Sequence, residues 1–174
     1  MKKKKIIILF IPVLLFACQR SKKDMLVRNW HAVQLFNPDL DDMLQKQQQF
    51  IDTVGKSTSA AANDTLYGFH NMDSIKIVLQ KQLDSFKQIQ QQTLENTYFN
   101  FKKNGQAILT FGGYTDTTKW YFDDEGALML DELKEKGAGT SFKMIVQHLS
   151  DTALKLKFVE KDVSSVVTFH PVKN

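Results

Sequence analysis

Residues 97–111, TYFNFKKNGQAILTF, decide how this chain is expected to fold. Apolar and polar side chains alternate on both sides of an Asn-Gly pair at 104–105, as they do in β-strands with one buried face. Asn-Gly between two such runs favours a tight hairpin turn, because both residues readily adopt positive φ. The stretch therefore predicts an antiparallel hairpin that buries Phe99, Phe101 and Phe111.

The same alternation continues toward the C-terminus and also occurs once before the hairpin. Five further short runs separated by turn residues lie at 118–122, 127–130, 142–146, 154–158 and 163–169, and a first strand lies at 26–36. Eight sequential strands joined mostly by short turns predict a mainly β protein, an antiparallel up-and-down barrel. Closure of the barrel also removes the exposed strand edges of an open sheet.

Residues 39–95 have helical periodicity and predict a two-helix insertion between strands 1 and 2. The first helix begins at the acids near Asp39 and ends at Gly55, and the second begins near Asp73 or Ser74. Residues 56–65 are expected to be a flexible loop. Each helix has one apolar stripe, so the helices pack on the barrel or on each other, or cover a ligand-binding mouth, or contact a partner.

The N-terminus is typical of an export signal. Four lysines at 2–5 precede twelve apolar residues at 6–17, which are too few to span a bilayer comfortably but suit a signal peptide. This stretch ends at Cys18, the one cysteine of the chain. The expected organisation is a signal peptide at 1–17, a tether at 18–25 and a barrel domain at 26–174.

Leu15-Phe16-Ala17-Cys18 resembles the lipobox of bacterial lipoproteins, in which cleavage precedes a cysteine that carries lipid. The resemblance implies palmitate-type acylation of Cys18 and membrane attachment through that lipid. Because Gln19, and not Asp, follows the cysteine, we expect an outer-membrane protein of the cell envelope that faces the periplasm. An ordinary signal peptide and an uncleaved anchor are the alternatives.

Charge and cysteine content exclude several functions. The net charge of +4 comes from the lysines at 2–5, since without them the basic residues equal the 19 acidic ones. The mature chain therefore gives no reason to expect a nucleic-acid partner. One cysteine excludes an intrachain disulfide framework and a cysteine-rich zinc site.

Four segments, in order, are similar to the lipocalin-like lipoproteins of Bacteroidetes-type bacteria. The segments are LVRNW at 26–30, YFNFKKNG at 98–105, the pair TKWYFDD and LML within 118–130, and LSDTALKL at 149–156. The resemblance covers 26–36 and 97–170 and leaves the helical insertion outside. It implies a lipocalin-like barrel that often holds a ligand, without specifying which ligand.

An eight-stranded barrel is either filled by side chains or holds one small ligand. Nine bulky residues are candidates for its interior: Trp30, Phe99, Phe101, Phe111, Trp120, Phe122, Phe142, Phe158 and Phe169. They could fill the barrel or line an apolar pocket, and the sequence leaves both open. The candidate ligand-binding residues are Tyr98, Trp120, Phe142, Met144 and His148, the last three on a shared strand face.

Catalytic and metal-binding motifs are missing from the sequence. The four histidines have no metal-ligand spacing, and no nucleophile motif such as G-x-S-x-G occurs. Asp123-Asp124-Glu125 precedes Gly126 and is explained by a turn, with a weak calcium site as the alternative. We therefore expect no catalytic residue, no metal, no cofactor and no enzymatic activity.

Two functions remain. The first is non-catalytic binding of an apolar small molecule or lipid, inside the barrel or beneath the helices. The second is a structural or interaction lipoprotein with a filled barrel, whose glutamine-rich helices and loop 57–64 contact an envelope protein partner.

Overall fold

The computed structural model describes residues 21–56, 58–69, 71–132, 139–161 and 163–173. The predicted signal peptide, Cys18, residue 57 and His70 lie outside the described residues. The element order is α1 (Lys22–Leu26), β1 (Asn29–Phe36), α2 (Pro38–Thr53), α3 (Ala60–Tyr67), α4 (Met72–Glu95), β2 (Tyr98–Phe101), β3 (Gln106–Phe111), β4 (Tyr114–Phe122), β5 (Leu128–Glu132), β6 (Ser141–Leu149), β7 (Leu154–Glu160) and β8 (Val163–Pro171).

The predicted hairpin is confirmed as β2 and β3. The two strands are antiparallel, with Phe99 opposite Leu109 and Phe101 opposite Ala107. Gly105 has a φ of +82°, a conformation that a residue without a Cβ adopts at little cost. The turn residue and the strand alternation thus specify the same register.

The eight strands form one closed antiparallel barrel in the order β1-β2-β3-β4-β5-β6-β7-β8. β1 closes it by pairing with β8 on one side and with β2 on the other. The fold is therefore mainly β, an eight-stranded antiparallel up-and-down barrel with helices between strands 1 and 2, as the sequence predicts.

Because neighbouring strands alternate in direction, the connections divide between two ends of the barrel. At the closed end lie connections 102–105, 123–127 and 150–153, together with α1. At the other end, the mouth, lie the β3–β4 turn, the last residues of β5 and β7, the first residues of β6 and β8, and the helices α2, α3 and α4.

The core begins at the closed end. Leu26 of α1 is fully buried, and its carbonyl oxygen accepts a 2.9 Å hydrogen bond from Trp30 Nε1. Arg28 stacks over the Trp30 ring at 5.3 Å and forms a 3.0 Å ion pair with Asp151. α1 thus seals this end. Above it the core is filled by Trp30, Phe99, Phe101, Trp120, Leu128, Leu130, Met144, Leu154, Leu156 and Phe169.

The helices are positioned by their caps and by contacts with each other. Asn37 caps α2 by accepting from Leu40 N, and Asn71 caps α4 by accepting from Asp73 N. α2 and α4 pack together, with Gln48 Nε2 donating to Gln80 Oε1 at 2.9 Å. α4 also contacts β1, so its C-terminal half lies over the mouth.

Three local differences from the sequence prediction have physical causes. Residues 60–65, which belong to the expected loop, form most of α3, because Ser59 Oγ accepts from Ala62 N and Gly68 ends the helix at φ +72°. Residues 22–26, expected to be tether and first strand, form α1, because burial of Leu26 stabilises one capped turn. β4 begins four residues earlier than the predicted run, because the Gly112-Gly113 turn pairs Tyr114 with Phe111.

Candidate ligand pocket at the barrel mouth

An apolar pocket of about 500 Å³ lies between α4 and the mouth of the barrel. Strands on both sides of the closure seam and one helix contribute its walls. The lining residues are Leu35, Phe86, Ile89, Gln90, Thr93, Leu94, Thr97, Phe111, Phe158, Ser165, Val167 and Phe169. The barrel is therefore filled near its closed end and open near its mouth, which combines the two alternatives that the sequence left open.

The bottom of the pocket is formed by buried residues of the barrel core. Phe169 is fully buried and packs on Phe99, with ring centroids 4.8 Å apart. Phe111 meets the same Phe99 ring edge-on at 5.1 Å but is 46% exposed. Ile89 of α4, 61% exposed, closes the pocket from above. Apolar side chains thus remain accessible where a ligand would enter.

Most polar groups of the lining already have partners. Thr97 Oγ1 donates to the Thr93 carbonyl oxygen at 2.7 Å, and Ser165 Oγ accepts from Asn37 Nδ2 at 2.9 Å. Gln90 lines both this pocket and a smaller neighbouring pocket that Lys87 and Asp41 also line. The amide of Gln90 is therefore well placed to orient a polar end of a bound molecule.

Tyr98, Trp120 and Met144 do not line this pocket. Tyr98 points outward from β2 and stacks on His31 with ring centroids 4.6 Å apart. Trp120 is buried at the closed end, where its Nε1 donates to the Lys102 carbonyl oxygen at 3.0 Å. Met144 is 3% exposed and part of the filled core.

Phe142 and His148 lie at the surface, and the face predicted for β6 is wrong at His148. The β6–β7 register shifts between Val146 and His148, so His148 pairs with the outward-facing Lys155. A bulge of this kind reverses the faces beyond it. Phe142 keeps the face of Met144 but lies at the start of the strand and is 59% exposed. None of the five candidate residues lines the pocket.

Part of the true lining was visible in the sequence. Phe111, Phe158 and Phe169 belong to the nine bulky residues expected inside the barrel, and Phe86, Ile89 and Leu94 belong to the apolar stripe of the second helix. Leu35, Ser165 and Val167 lie on predicted strands but were not among the candidate ligand-binding residues. Helical periodicity identifies the buried stripe but not the strands that the stripe faces.

The outer wall near the closed end carries a cluster of charges. Lys143 Nζ pairs with Asp123 at 3.2 Å and also with Glu125. The backbone N–H of Ala127, together with Lys143, lowers the pKa of the Asp123 carboxyl, and the two acids raise the pKa of Lys143. Burial and the Asp131 carboxylate raise the pKa of the Tyr121 phenol. These groups face away from the pocket.

Within the described ranges, no cluster of three or more histidine, cysteine or acidic side chains is arranged to hold a metal ion. Among the helices of the same ranges, none combines the length and apolarity that a membrane span requires.

Comparison of the sequence with protein-family models and with curated proteins gave no match. Among solved structures, the crystal structure of a DUF4847 family protein from Bacteroides vulgatus ATCC 8482 is similar to this chain. The two share 11% sequence identity, with a TM-score of 0.44 over 88% of this chain and 98% of that one.

Proposed function

We propose that this protein is a non-catalytic binding protein of the cell envelope that holds an apolar small molecule or lipid in the mouth pocket. The observation that carries the proposal is the pocket itself, which is apolar, open to entry and about 500 Å³ in volume. Ligand sites typically measure about 300–1,000 Å³ and combine apolar walls with a few polar groups.

Binding would be driven by burial of apolar surface. Each Å² removed from water contributes about 25 cal/mol, and the exposed parts of Phe86, Ile89 and Phe111 would be covered by a ligand. Gln90 supplies a polar contact at the edge, which suits an amphiphile with one polar end.

The sequence supports a lipid anchor for this binding protein. Cleavage before Cys18 would place acyl chains on that residue, three positions before the first described residue, Ser21. The barrel would then belong to a lipocalin-like lipoprotein, on the periplasmic side of the outer membrane in our proposal. A lone exposed thiol would be a liability in an oxidising compartment, and acylation removes it.

The direct test is native mass spectrometry of the chain from residue 18 onward with Cys18→Ser, which contains every helix and strand described above. The expected result is a non-covalent adduct of several hundred daltons that organic solvent releases. The protein stripped of this adduct should bind a pyrene-labelled fatty acid and enhance its fluorescence.

A matched pair of variants on α4 assigns the binding to the pocket. Ile89→Gln introduces a polar group into the lining, whereas Ile77→Gln makes the same change at a similarly exposed position outside it. We expect about a tenfold loss of probe affinity for Ile89→Gln and none for Ile77→Gln. Equal affinities for both variants, or a bare protein that binds no probe, would overturn the proposal.

Exposed apolar residues on the helices favour one second candidate function. Ile77 and Val78 of α4 and Met43 and Phe50 of α2 are each about half exposed. Exposed apolar side chains on two packed helices suit a protein partner in the envelope. If no adduct or probe binds, and cross-links from α4 to one envelope protein disappear in Ile77→Gln, the protein is an interaction lipoprotein instead.

A further inference from the structure

Large exposed apolar side chains lie where strands begin at the mouth of the barrel. At the closed end the three connections, at 102–105, 123–127 and 150–153, consist of charged, polar and small residues. At the mouth, the three strands that begin there, β4, β6 and β8, each carry an exposed large apolar side chain within their first two residues, namely Tyr114, Phe142 and Val163. The accessible apolar surface near the pocket thus lies at one end of the molecule.

The chain enters the fold at the opposite end. Ser21 caps α1, and α1 is fixed at the closed end by the fully buried Leu26 and by the hydrogen bond from Trp30. Ser21 therefore cannot move to the mouth unless Leu26 leaves the core.

The distances decide which end a membrane anchor would hold. Ser21 lies three positions after Cys18, and three residue-to-residue steps span at most about 10 Å, since an extended chain advances about 3.3–3.6 Å per residue. The nine-residue strands β4 and β6 rise about 3.3 Å per residue, which gives a barrel height of about 20 Å even when the strands tilt. The tether is too short to reach the mouth.

We infer that the mouth pocket points away from the membrane that holds the lipid on Cys18, and that ligand exchange takes place in trans. The ligand would reach the pocket from the aqueous side or from a donor there, and not by lateral diffusion from the anchoring bilayer. This inference rests on the proposed function, because it needs both the anchor and a pocket ligand.

Because the chain has a single cysteine, the point of membrane attachment can be chosen by moving that cysteine. Three proteins starting at residue 18 are each coupled through one thiol to a maleimide lipid in phosphatidylcholine vesicles. One uses Cys18, one uses Thr152→Cys at the closed end, and one uses Tyr114→Cys at the mouth, the latter two with Cys18→Ser. Thr152 and Tyr114 are both exposed and lie outside the pocket lining.

The measured quantity is the rate of uptake of pyrene-labelled fatty acid placed in the same vesicles or in separate donor vesicles. From the same vesicles, the Tyr114-anchored protein should take up probe about tenfold faster than the other two, because its pocket faces the local supply. From donor vesicles, the Cys18-anchored and Thr152-anchored proteins should be the faster ones.

Two outcomes would overturn the inference and are distinguishable. Equal uptake from the same vesicles by the Cys18-anchored and Tyr114-anchored proteins means that the mouth reaches the anchoring bilayer. If none of the three proteins binds the probe in solution before coupling, the proposed function fails and the inference fails with it.

Discussion

Strand alternation points side chains into the barrel at both the closed end and the mouth. The inward side chains are buried at the closed end, whereas some of them are exposed at the mouth. Phe99 and Phe111 are neighbours in space, with ring centroids 5.1 Å apart, and both point inward. Phe99 lies opposite Trp30 in the β1–β2 register and is fully buried, whereas Phe111 is 46% exposed beneath α4. The difference lies in the covering helix. α1 inserts Leu26 into the barrel, while α4 crosses the mouth and leaves a gap between its apolar stripe and the strands.

The largest expected effect on stability is the difference between alanine substitutions at these two phenylalanines. Phe99→Ala should destabilise the protein by about 3–5 kcal/mol, because a fully buried aromatic ring leaves a cavity. Phe111→Ala should cost about 1 kcal/mol or less, because its ring is already half in water, but should weaken binding of the pyrene-labelled fatty acid. Urea unfolding and probe titration of both variants check this. Equal losses of stability for the two variants would mean that Phe111 is packed in the core and that the mouth is not open.

The next effect concerns the seal at the closed end. Leu26→Ala should cost about 2–5 kcal/mol, because Leu26 is fully buried in the core. Lys23→Ala, an exposed position on the same helix, is the control and should leave the urea midpoint nearly unchanged. If Leu26→Ala is as mild as the control, α1 is only a tether and the closed end is not sealed by it.

A smaller effect is expected at Trp120. Trp120→Phe removes the donor to the Lys102 carbonyl oxygen and should cost about 1–2 kcal/mol. Probe affinity should not change, because Trp120 lies at the closed end and outside the mouth pocket. A variant that keeps its stability but loses the probe would place the ligand site beside Trp120 at the closed end.

The smallest expected effect on stability concerns the charged residues beside the closed end. The folded-state pKa of Asp123 is lowered, so its contribution to stability is present above the usual aspartate range and lost as pH falls through the folded pKa. Asp123→Ala should therefore lower the melting temperature at neutral pH, and the difference from the wild type should shrink below about pH 4. Asp124→Ala, at the exposed neighbouring position, is the control. A pH-independent difference would contradict the assignment.

The barrel fold could be predicted from the sequence because each strand is specified by its own local pattern. Each run carries its own alternation, and turn residues such as Gly105 set the register of the next strand. The same local rule fails at a bulge. One extra residue between Val146 and His148 moves His148 to the outer face, and nothing in the alternation of that strand shows it.

The pocket was harder to predict because it depends on contacts between distant segments. Ile89 and Val167 lie on different elements, and they line the same pocket only because α4 crosses the mouth beside β1. Amphipathic spacing shows that a helix covers something but not what it covers. The long helices α2 and α4 were predictable from their length and caps. The helices α1 and α3 were not, because they are short and depend on single caps and on tertiary burial.

The pairing of β1 with both β2 and β8 has a consequence for how fast this protein folds. Strands β2–β8 pair with sequence neighbours across short connections, so that sheet can form from local contacts. β1 must close two long loops, one over the helical segment to β2 and one over nearly the whole chain to β8. Since long-range closure carries the entropy cost before its contacts form, docking of β1 should be the late step that limits the folding rate.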